Sequence, residues 1–233
     1  MYSSVGLEAL SIARMAVLTA LAIIITMIPA FSVVGVEGAS ITLGAMVPVL
    51  LGVLLMPREA IISAIIAGIL STIIPPPGTF GPFSPLPLIM ATIAVVLVYR
   101  FKYKGLIGYL TLHLGLVVLF IIVSGMRFFE EFLLYPWFHI VGAIIATLLL
   151  ILKRTWLALL ISASIAGVLV DHIAGSVLAQ VYFPLVAGFT IPGSIWSAIT
   201  WIYPIERTIL IVIACAILTV LYKIGVPAPW IKQ

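Results

Sequence analysis

The sequence predicts an all-α integral membrane protein, a multi-span helical bundle forming a single transmembrane domain over residues 1–233. Of the 233 residues, 64% are hydrophobic and only 8% are charged, whereas about a quarter of the residues of a soluble domain are charged. The apolar residues also occur in long uncharged blocks, and within a bilayer only helices or closed barrels pair every backbone group. The chain is therefore expected in a lipid bilayer as a multi-pass protein of the cell membrane. Its basic residues are scattered between apolar blocks, which argues against nucleic acid as a partner.

Eight apolar blocks, separated by charges, prolines and glycines, are candidate spans, because about 20 apolar residues in a helix cross the hydrocarbon layer. The first has an uncharged run from Met15 to Val36 that is long for a signal peptide, so it is expected to be a retained helix. The second and third are short and meet at Pro57, which allows two spans or a re-entrant pair; we favour two spans. The blocks cover residues 7–30, 42–57, 59–75, 84–100, 105–124, 135–152, 155–182 and 205–224.

The basic residues predict the orientation of the bundle. With eight spans and the N terminus in the cytoplasm, nine of the 11 basic residues fall on the inner side, as the positive-inside rule requires. Only Arg127 and Arg207 fall outside, beside Glu130, Glu131 and Glu206. Both termini are therefore expected in the cytoplasm. The inner nine are Arg14, Arg58, Arg100, Lys102, Lys104, Lys153, Arg154, Lys223 and Lys232.

The expected outer connections differ from the inner ones. They are long, nearly uncharged and rich in glycine, proline and aromatic residues, and loops of that length without secondary structure are more often lids or binding loops than connectors. The alternative is that Trp196, Trp201 and Tyr203 form an interfacial aromatic belt. The four connections are 31–41, 75–85, 125–135 and 183–204.

One ionisable residue, Asp171, falls clearly inside a predicted span. Charge at that depth is costly and by default indicates a functional site. The next residue, His172, shares a helix face with Ser176 and Gln180 at spacings of four residues. Counted from Lys153 at the inner surface, Asp171 and His172 lie in the outer half of the bilayer. These four residues are predicted to bind a solute; the alternative is that Asp171 makes a structural hydrogen bond to another helix.

Further polar and aromatic residues are expected at the same level. Glu37 lies in the first outer connection, and Tyr135, Trp137 and His139 open the sixth block, while Glu206 and Arg207 open the eighth. Aromatic groups with a few polar ones suit a small organic solute. The pair Glu206 and Arg207 is also compatible with a simple interfacial role.

Small residues at four-residue spacing mark two of the blocks. Ala9 and Ala13, then Ala16 and Ala20, form a low-relief stripe on the first helix, and the third block carries Ala60, Ala64 and Gly68. Such stripes let helices approach closely, either within one chain or between chains.

The sequence disfavours an enzyme. It contains no H-E-x-x-H, G-x-S-x-G or Walker sequence, and its single cysteine, Cys215, excludes a cysteine-based metal cluster. We therefore assign no catalytic residue, no metal site and no cofactor. Primary transport would need a partner chain to supply the energy.

Three segments resemble the substrate-binding S component of an energy-coupling factor transporter. They are ARMAVLTALAI in the first helix, ITLGAMVPVLLGVLLMPREAIISAIIAG across the second and third blocks, and YPIERTILIVIACAILTVLYK near the end. The resemblance covers about the first 75 residues and the last 50. It implies a membrane protein that binds a vitamin or a similar small molecule from outside, and that associates with a transmembrane coupling protein and cytoplasmic ATPases.

The resemblance also suggests site residues by location. In that family an A-x-x-x-A stripe of the first helix contacts the coupling protein, which maps onto Ala16 and Ala20, with Ala9 and Ala13 as extensions. The family's substrate site lies in the outer half, beneath the first outer loop, which adds Glu37, Trp201 and Glu206 to Asp171 and His172. S components usually have six spans, so the two additional candidates would lie between about residues 100 and 155. The alternative function is a self-contained secondary permease or channel in which Asp171 relays protons or binds a cation.

Overall fold

The computed structural model describes residues 4–32, 40–74, 80–124, 134–153 and 155–226. The described part of the chain contains eight α-helices, which confirms the predicted all-α class. They are α1 (Ser4–Thr26), α2 (Val47–Leu54), α3 (Pro57–Ile73), α4 (Pro85–Phe101), α5 (Tyr103–Val123), α6 (Trp137–Leu152), α7 (Trp156–Tyr182) and α8 (Gly193–Lys223). Among the residues named above, Glu37, Arg127, Glu130, Glu131, Arg154 and Lys232 lie outside the described ranges.

Five of the described helical segments are long and apolar enough to cross a membrane. They include α1, α4, α5, α7 and α8, while α6 is apolar but shorter. Several spans of this length and composition make the chain a multi-span membrane bundle.

The second predicted block does not form a helix of spanning length. Helix α2 has 8 residues and extends about 12 Å at 1.5 Å per residue. It is entirely buried and ends before the extended residue Met56, because the residue that precedes a proline avoids the helical region. The guanidinium of Arg100, on α4, donates hydrogen bonds to the carbonyls of Val53 (3.2 Å) and Leu55 (2.6 Å) at the end of α2. These bonds pair carbonyls that the helix end leaves open.

Helix α7 occupies the centre of the bundle, and residues 162–170 are buried along its length. Its run of small residues allows close approach by α2 and α4. A Cβ atom added at Gly167 would lie 2.6 Å from Val95 of α4 and 2.9 Å from Val49 of α2. Helices α4, α5, α6 and α8 pack around α7 and hold its polar residues inside the bundle.

Helix α1 lies at the edge and packs mainly against α3. Thr19 and Ser63 are hydrogen-bonded at 2.9 Å, and Ser11 donates to Glu59 at the start of α3. The two small-residue stripes have different surroundings. The α3 stripe, Ala60, Ala64 and Gly68, is buried within the chain, whereas the α1 stripe, Ala9, Ala13, Ala16 and Ala20, is exposed.

Within the described residues, three of the four expected unstructured connections contain secondary structure, including a short 3-10 helix over Gly81–Phe83 in the second. In the first, strands β1 (Pro29–Ser32) and β2 (Ser40–Thr42) pair antiparallel. In the last, a π-helical turn over Phe183–Ala187 continues α7, and α8 begins at Gly193. Pro204 therefore lies inside α8, where the sequence pattern predicted a helix start.

The tertiary structure accommodates Pro204 by providing a substitute donor. Proline has no N–H, so the carbonyl of Thr200, four residues earlier, loses its helical partner. The indole Nε1 of Trp137, at the start of α6, donates to that carbonyl at 3.2 Å. The bond pairs the open carbonyl and joins α6 to α8.

We expect Trp137→Phe to lower the free energy of unfolding by about 1–2 kcal/mol, because the Thr200 carbonyl would lose its donor while an aromatic ring is kept. Trp201→Phe is the matched control, since the Trp201 side chain is 64% exposed, and we expect it to change stability by less than about 0.5 kcal/mol. Thermal unfolding in detergent measures both variants. Equal effects would show that the indole N–H does not stabilise the proline-containing turn.

Candidate functional site

Polar side chains gather inside the apolar bundle where α5, α6, α7 and α8 meet. Three pairs of residues, each spaced by four, supply a group that we call the histidine chain. In a helix, residues four apart lie on one face, so the α5 and α7 pairs each point from one helix face into the same interior space. The members are Tyr109 and His113 of α5, Tyr135 in the turn before α6 and His139 of α6, and His172 and Ser176 of α7.

Hydrogen bonds connect all six members of the histidine chain. The contacts, taken in order, are Tyr109 Oη to His113 Nδ1 (3.0 Å), His113 Nε2 to His139 Nδ1 (3.4 Å), His139 Nε2 to His172 Nδ1 (3.2 Å), His172 Nε2 to Tyr135 Oη (3.2 Å) and Tyr135 Oη to Ser176 Oγ (2.7 Å). The series of bonds links α5, the α6 segment and α7 through the interior of the bundle. Five of its members are buried and His172 is partly buried.

Ser176 fixes the direction of these bonds at one end. Its hydroxyl donates to the backbone carbonyl of His172 at 2.9 Å. A hydroxyl has one proton, so Ser176 must accept the bond from Tyr135. The proton of Tyr135 is then committed, and its oxygen accepts from His172 Nε2.

The same rule sets the tautomer of each histidine. A neutral imidazole has one donor and one acceptor, so His172, which donates through Nε2, accepts through Nδ1 from His139. His139 in turn accepts from His113, and His113 accepts from the hydroxyl of Tyr109. The series thus consists of neutral groups that all donate in one direction, from Tyr109 toward Ser176.

Tyr203 of α8 packs against the side of the histidine chain. Its hydroxyl donates to the backbone carbonyl of Tyr135 at 2.6 Å. Its ring stacks on His139 with centroids 5.4 Å apart and lies 4.5 Å from the ring of His172. Trp196 adds an edge-on contact to Tyr135 at 5.0 Å. These contacts fix α8 against α6 and α7.

Two opposite charges lie beside the histidine chain. Arg207 of α8 is 3% exposed, and its Nε has no hydrogen-bond partner among the described residues. The charges of Asp171, on α7, and Glu206 act on this guanidinium. Burying an ion without hydrogen bonds costs free energy. Arg207 is therefore expected to have a further hydrogen-bond partner.

The structure brings four of the predicted site residues to this region. Asp171 and His172 are partly buried on α7, and Ser176 is buried in the histidine chain. Glu206 is partly buried beside Arg207 on α8. The hydrogen bonds of Ser176 and His172 are made to other protein groups. These two side chains therefore help to position the site, and neither has a free donor for a solute.

The other three predicted residues are placed differently. Gln180 follows Ser176 by four residues, and its Nε2 has no hydrogen-bond partner among the described residues. Trp201 is 64% exposed, and its ring packs on Trp137 at 5.9 Å, away from the histidine chain. Glu37 lies outside the described residues. Their roles in solute binding stay predictions.

The sequence interpretation placed Tyr135 and His139 at the level of the site but did not recognise them as a pair, and it did not identify Tyr109, His113 or the burial of Arg207. The signal that was available is the repeated four-residue spacing: Tyr109 and His113, Tyr135 and His139, His172 and Ser176. Only the last pair was recognised as a face, because the other two occur in blocks that carry no charge.

The histidines bond to one another and do not converge on a common point. Within the described ranges, no group of three or more His, Cys, Asp or Glu side chains is arranged to hold a metal ion. The arrangement suits proton transfer along the series of bonds.

Comparison of the chain with protein-family models, with curated proteins and with solved structures found no match in any of the three.

Proposed function

We propose that this protein is the membrane-embedded binding subunit of an uptake system for a small, vitamin-like molecule. It works with a transmembrane coupling protein and cytoplasmic ATPases from other chains, and both of its termini lie in the cytoplasm. The observation that carries the proposal is the group of charged and aromatic side chains inside the bundle, where Arg207 is buried and its Nε lacks a partner among the described residues.

The depth of these charges supports binding from the outer side. Asp171 lies 15 residues beyond Trp156, or about 22 Å along α7, and closer to the Tyr182 end of that helix. In the proposed orientation this is the outer end. A buried group that combines aromatic rings with a few charges is the usual composition of a small-molecule site.

The exposed stripe of α1 supports the partner chain. Among the described side chains of α1, the four alanines lie near the middle of the exposed face: Ala9, Ala13, Ala16 and Ala20. The opposite face of the helix packs on the bundle. A face of small residues permits close helix approach, which is the main source of packing energy between helices in lipid. The coupling protein is the proposed occupant of this face.

Replacing Ala16 or Ala20 with tryptophan is expected to abolish association with the coupling protein, because the added bulk prevents close approach. The tagged chain is purified from membranes of its native host, and co-purifying proteins with Walker motifs are identified by mass spectrometry. Folding and solute binding of the isolated variants should persist, since both positions are exposed.

Leu21→Trp is the control for this test. Leu21 is exposed at the edge of the same face and at the same depth as Ala20, so the variant should retain the ATPases. Failure of the parent protein to retain any ATPase would contradict the proposal, as would retention by Ala16→Trp and Ala20→Trp at the parent level.

A proton-coupled permease is the second candidate, and the histidine chain specifically favours it. Each imidazole accepts a hydrogen bond on one ring nitrogen and donates a hydrogen bond from the other. Proton relays use this arrangement. Solute uptake by the purified chain alone, in liposomes with a pH gradient and without ATPases, would favour the permease over the binding subunit.

A further inference from the structure

The described part of the molecule contains one buried cation whose hydrogen-bonding capacity the protein leaves open. Arg207 is 3% exposed and its Nε has no partner among the described residues. A guanidinium has five N–H donors and is always charged. Leaving such a group unpaired at this depth is strongly unfavourable, so a polar molecule is expected to supply acceptors.

Among the described residues, Asp171 lacks hydrogen-bond donors, whereas Nε of Arg207 lacks an acceptor. Arg207 acts on its carboxylate through charge, and no described residue donates a hydrogen bond to it. The hydroxyl protons of the site are committed elsewhere: Ser176 donates to a backbone carbonyl, Tyr203 donates to another, and Tyr135 donates to Ser176. The described part of the chain therefore offers this carboxylate no hydroxyl donor, so a solute is expected to supply a donor.

We propose that Arg207 and Asp171 bind the two polar ends of one solute. The guanidinium takes an acidic group, and the carboxylate takes an ammonium or N–H group of the same molecule. This inference rests on the proposed function, because it names the chemical class of the transported solute: a small organic acid that also carries a nitrogen donor.

Charge balance argues against a simple acid or a simple amine. A carboxylate alone would meet Arg207 but would also face the like charges of Asp171 and Glu206, which act on the same guanidinium. An amine alone would leave Arg207 without an acceptor. A molecule that carries both groups pairs Arg207 and Asp171 each with a group of opposite charge.

The histidine chain and Tyr203 hold the two charges in place. Asp171 is adjacent to His172, and Arg207 follows Tyr203 by four residues on α8, so Tyr203 and Arg207 share a face. The Tyr203 and His172 rings are 4.5 Å apart. The spacing between guanidinium and carboxylate is therefore set by packed aromatic groups before a solute arrives, which favours binding by preorganisation.

The test begins with the small molecules that the purified full-length protein carries out of its native membranes. Heating releases them, and mass spectrometry identifies them. We expect a compound with one acidic group and one ammonium or N–H group. Arg207→Gln should bind this compound roughly ten- to hundredfold more weakly, as expected for the loss of hydrogen bonds to a charged group, and Asp171→Asn should weaken binding in the same way.

Two further variants complete the design. Arg58→Gln is the control, because Arg58 is exposed at the start of α3 and should leave binding unchanged. Arg207→Lys keeps the charge but loses the forked geometry, and it should bind the compound more weakly than the parent. It carries the test if Arg207→Gln does not fold.

The outcomes separate this inference from the proposed function. A released compound without an acidic group would overturn the inference and leave the binding function intact, and so would an acid that Arg207→Gln and Arg207→Lys bind as well as the parent. If the solute-free Arg207→Gln and Arg207→Lys proteins both melt far below the parent, Arg207 has a structural role and the inference is wrong. If the parent releases no small molecule, the proposed function fails as well.

Discussion

Replacing Gly105 with alanine is expected to lower the free energy of unfolding by about 3 kcal/mol or more, at the upper end of the range for overpacked sites. Gly105 lies in the first turn of α5, and one residue, Lys102, separates α5 from α4. A Cβ atom at position 105 would lie 2.0 Å from the carbonyl oxygen of Leu97 and 2.9 Å from Cβ of Phe101. The Leu97 contact is with backbone, so no side-chain rotation relieves it and the two helices must separate.

Gly115→Ala is the matched control for this prediction. Gly115 lies on the same helix, and a Cβ atom there would meet nothing within 4 Å. Alanine has a higher helix propensity than glycine, so Gly115→Ala should raise stability by about 0.5–1 kcal/mol. Thermal unfolding in detergent measures both. If Gly105→Ala is as stable as the parent, the close packing of α4 on α5 is wrong.

Replacing His139 with leucine is expected to destabilise the protein by about 3 kcal/mol. His139 is fully buried at the middle of the histidine chain, between His113 (3.4 Å) and His172 (3.2 Å). Leucine has a similar volume but no polar atoms. The variant therefore leaves a buried donor on His113 and a partly buried acceptor on His172 unpaired, and each fully buried group of this kind costs about 1–3 kcal/mol.

Two companion variants test whether the histidine chain is continuous. His139→Gln offers one donor and one acceptor, so it should recover part of the stability that His139→Leu loses. Tyr109→Phe removes the first member and leaves only one acceptor unpaired, so its effect should be about 1 kcal/mol. If His139→Leu is no more destabilising than Tyr109→Phe, the bonds between the histidines do not stabilise the fold.

The continuity of the histidine chain also bears on function. Protons move along hydrogen-bonded groups only when every link is present, so the break that destabilises His139→Leu would also interrupt proton transfer in a permease. A binding subunit driven by ATPases would lose only rigidity around Tyr203 and His172. His139→Gln preserves the fold better, but its amide does not take up and release a proton as an imidazole does. Measuring uptake for this variant therefore separates the two candidate functions.

The sequence alone determined the class of the protein and most of its helices. Long uncharged apolar segments have one stable solution in lipid, since each backbone group must be paired within the segment. This constraint is local, so it can be read residue by residue, and the blocks that became α4, α5, α6 and α7 were located to within a few residues. The same reasoning identified Asp171, because a charge inside a span is conspicuous against an apolar background.

The tertiary structure alone decided the features that depend on a second segment. Pro204 predicted a helix start, but the indole of Trp137, 67 positions earlier in the chain, donates to the freed carbonyl and allows α8 to continue. The block that became α2 is apolar, yet its helix is only 8 residues long and Arg100 from α4 pairs its final carbonyls. In both cases a distant side chain changes the local preference.

The candidate site shows the same division. The sequence placed His172 and Ser176 on one face, because helical spacing is a local property. The partners of that face come from three other segments, and no local pattern sets the 3.2 Å contact between His139 and His172 or the burial of Arg207. Hydrogen bonds and ion burial depend on atoms brought together by packing, so only the folded bundle determines which polar groups are paired and which remain open for a solute.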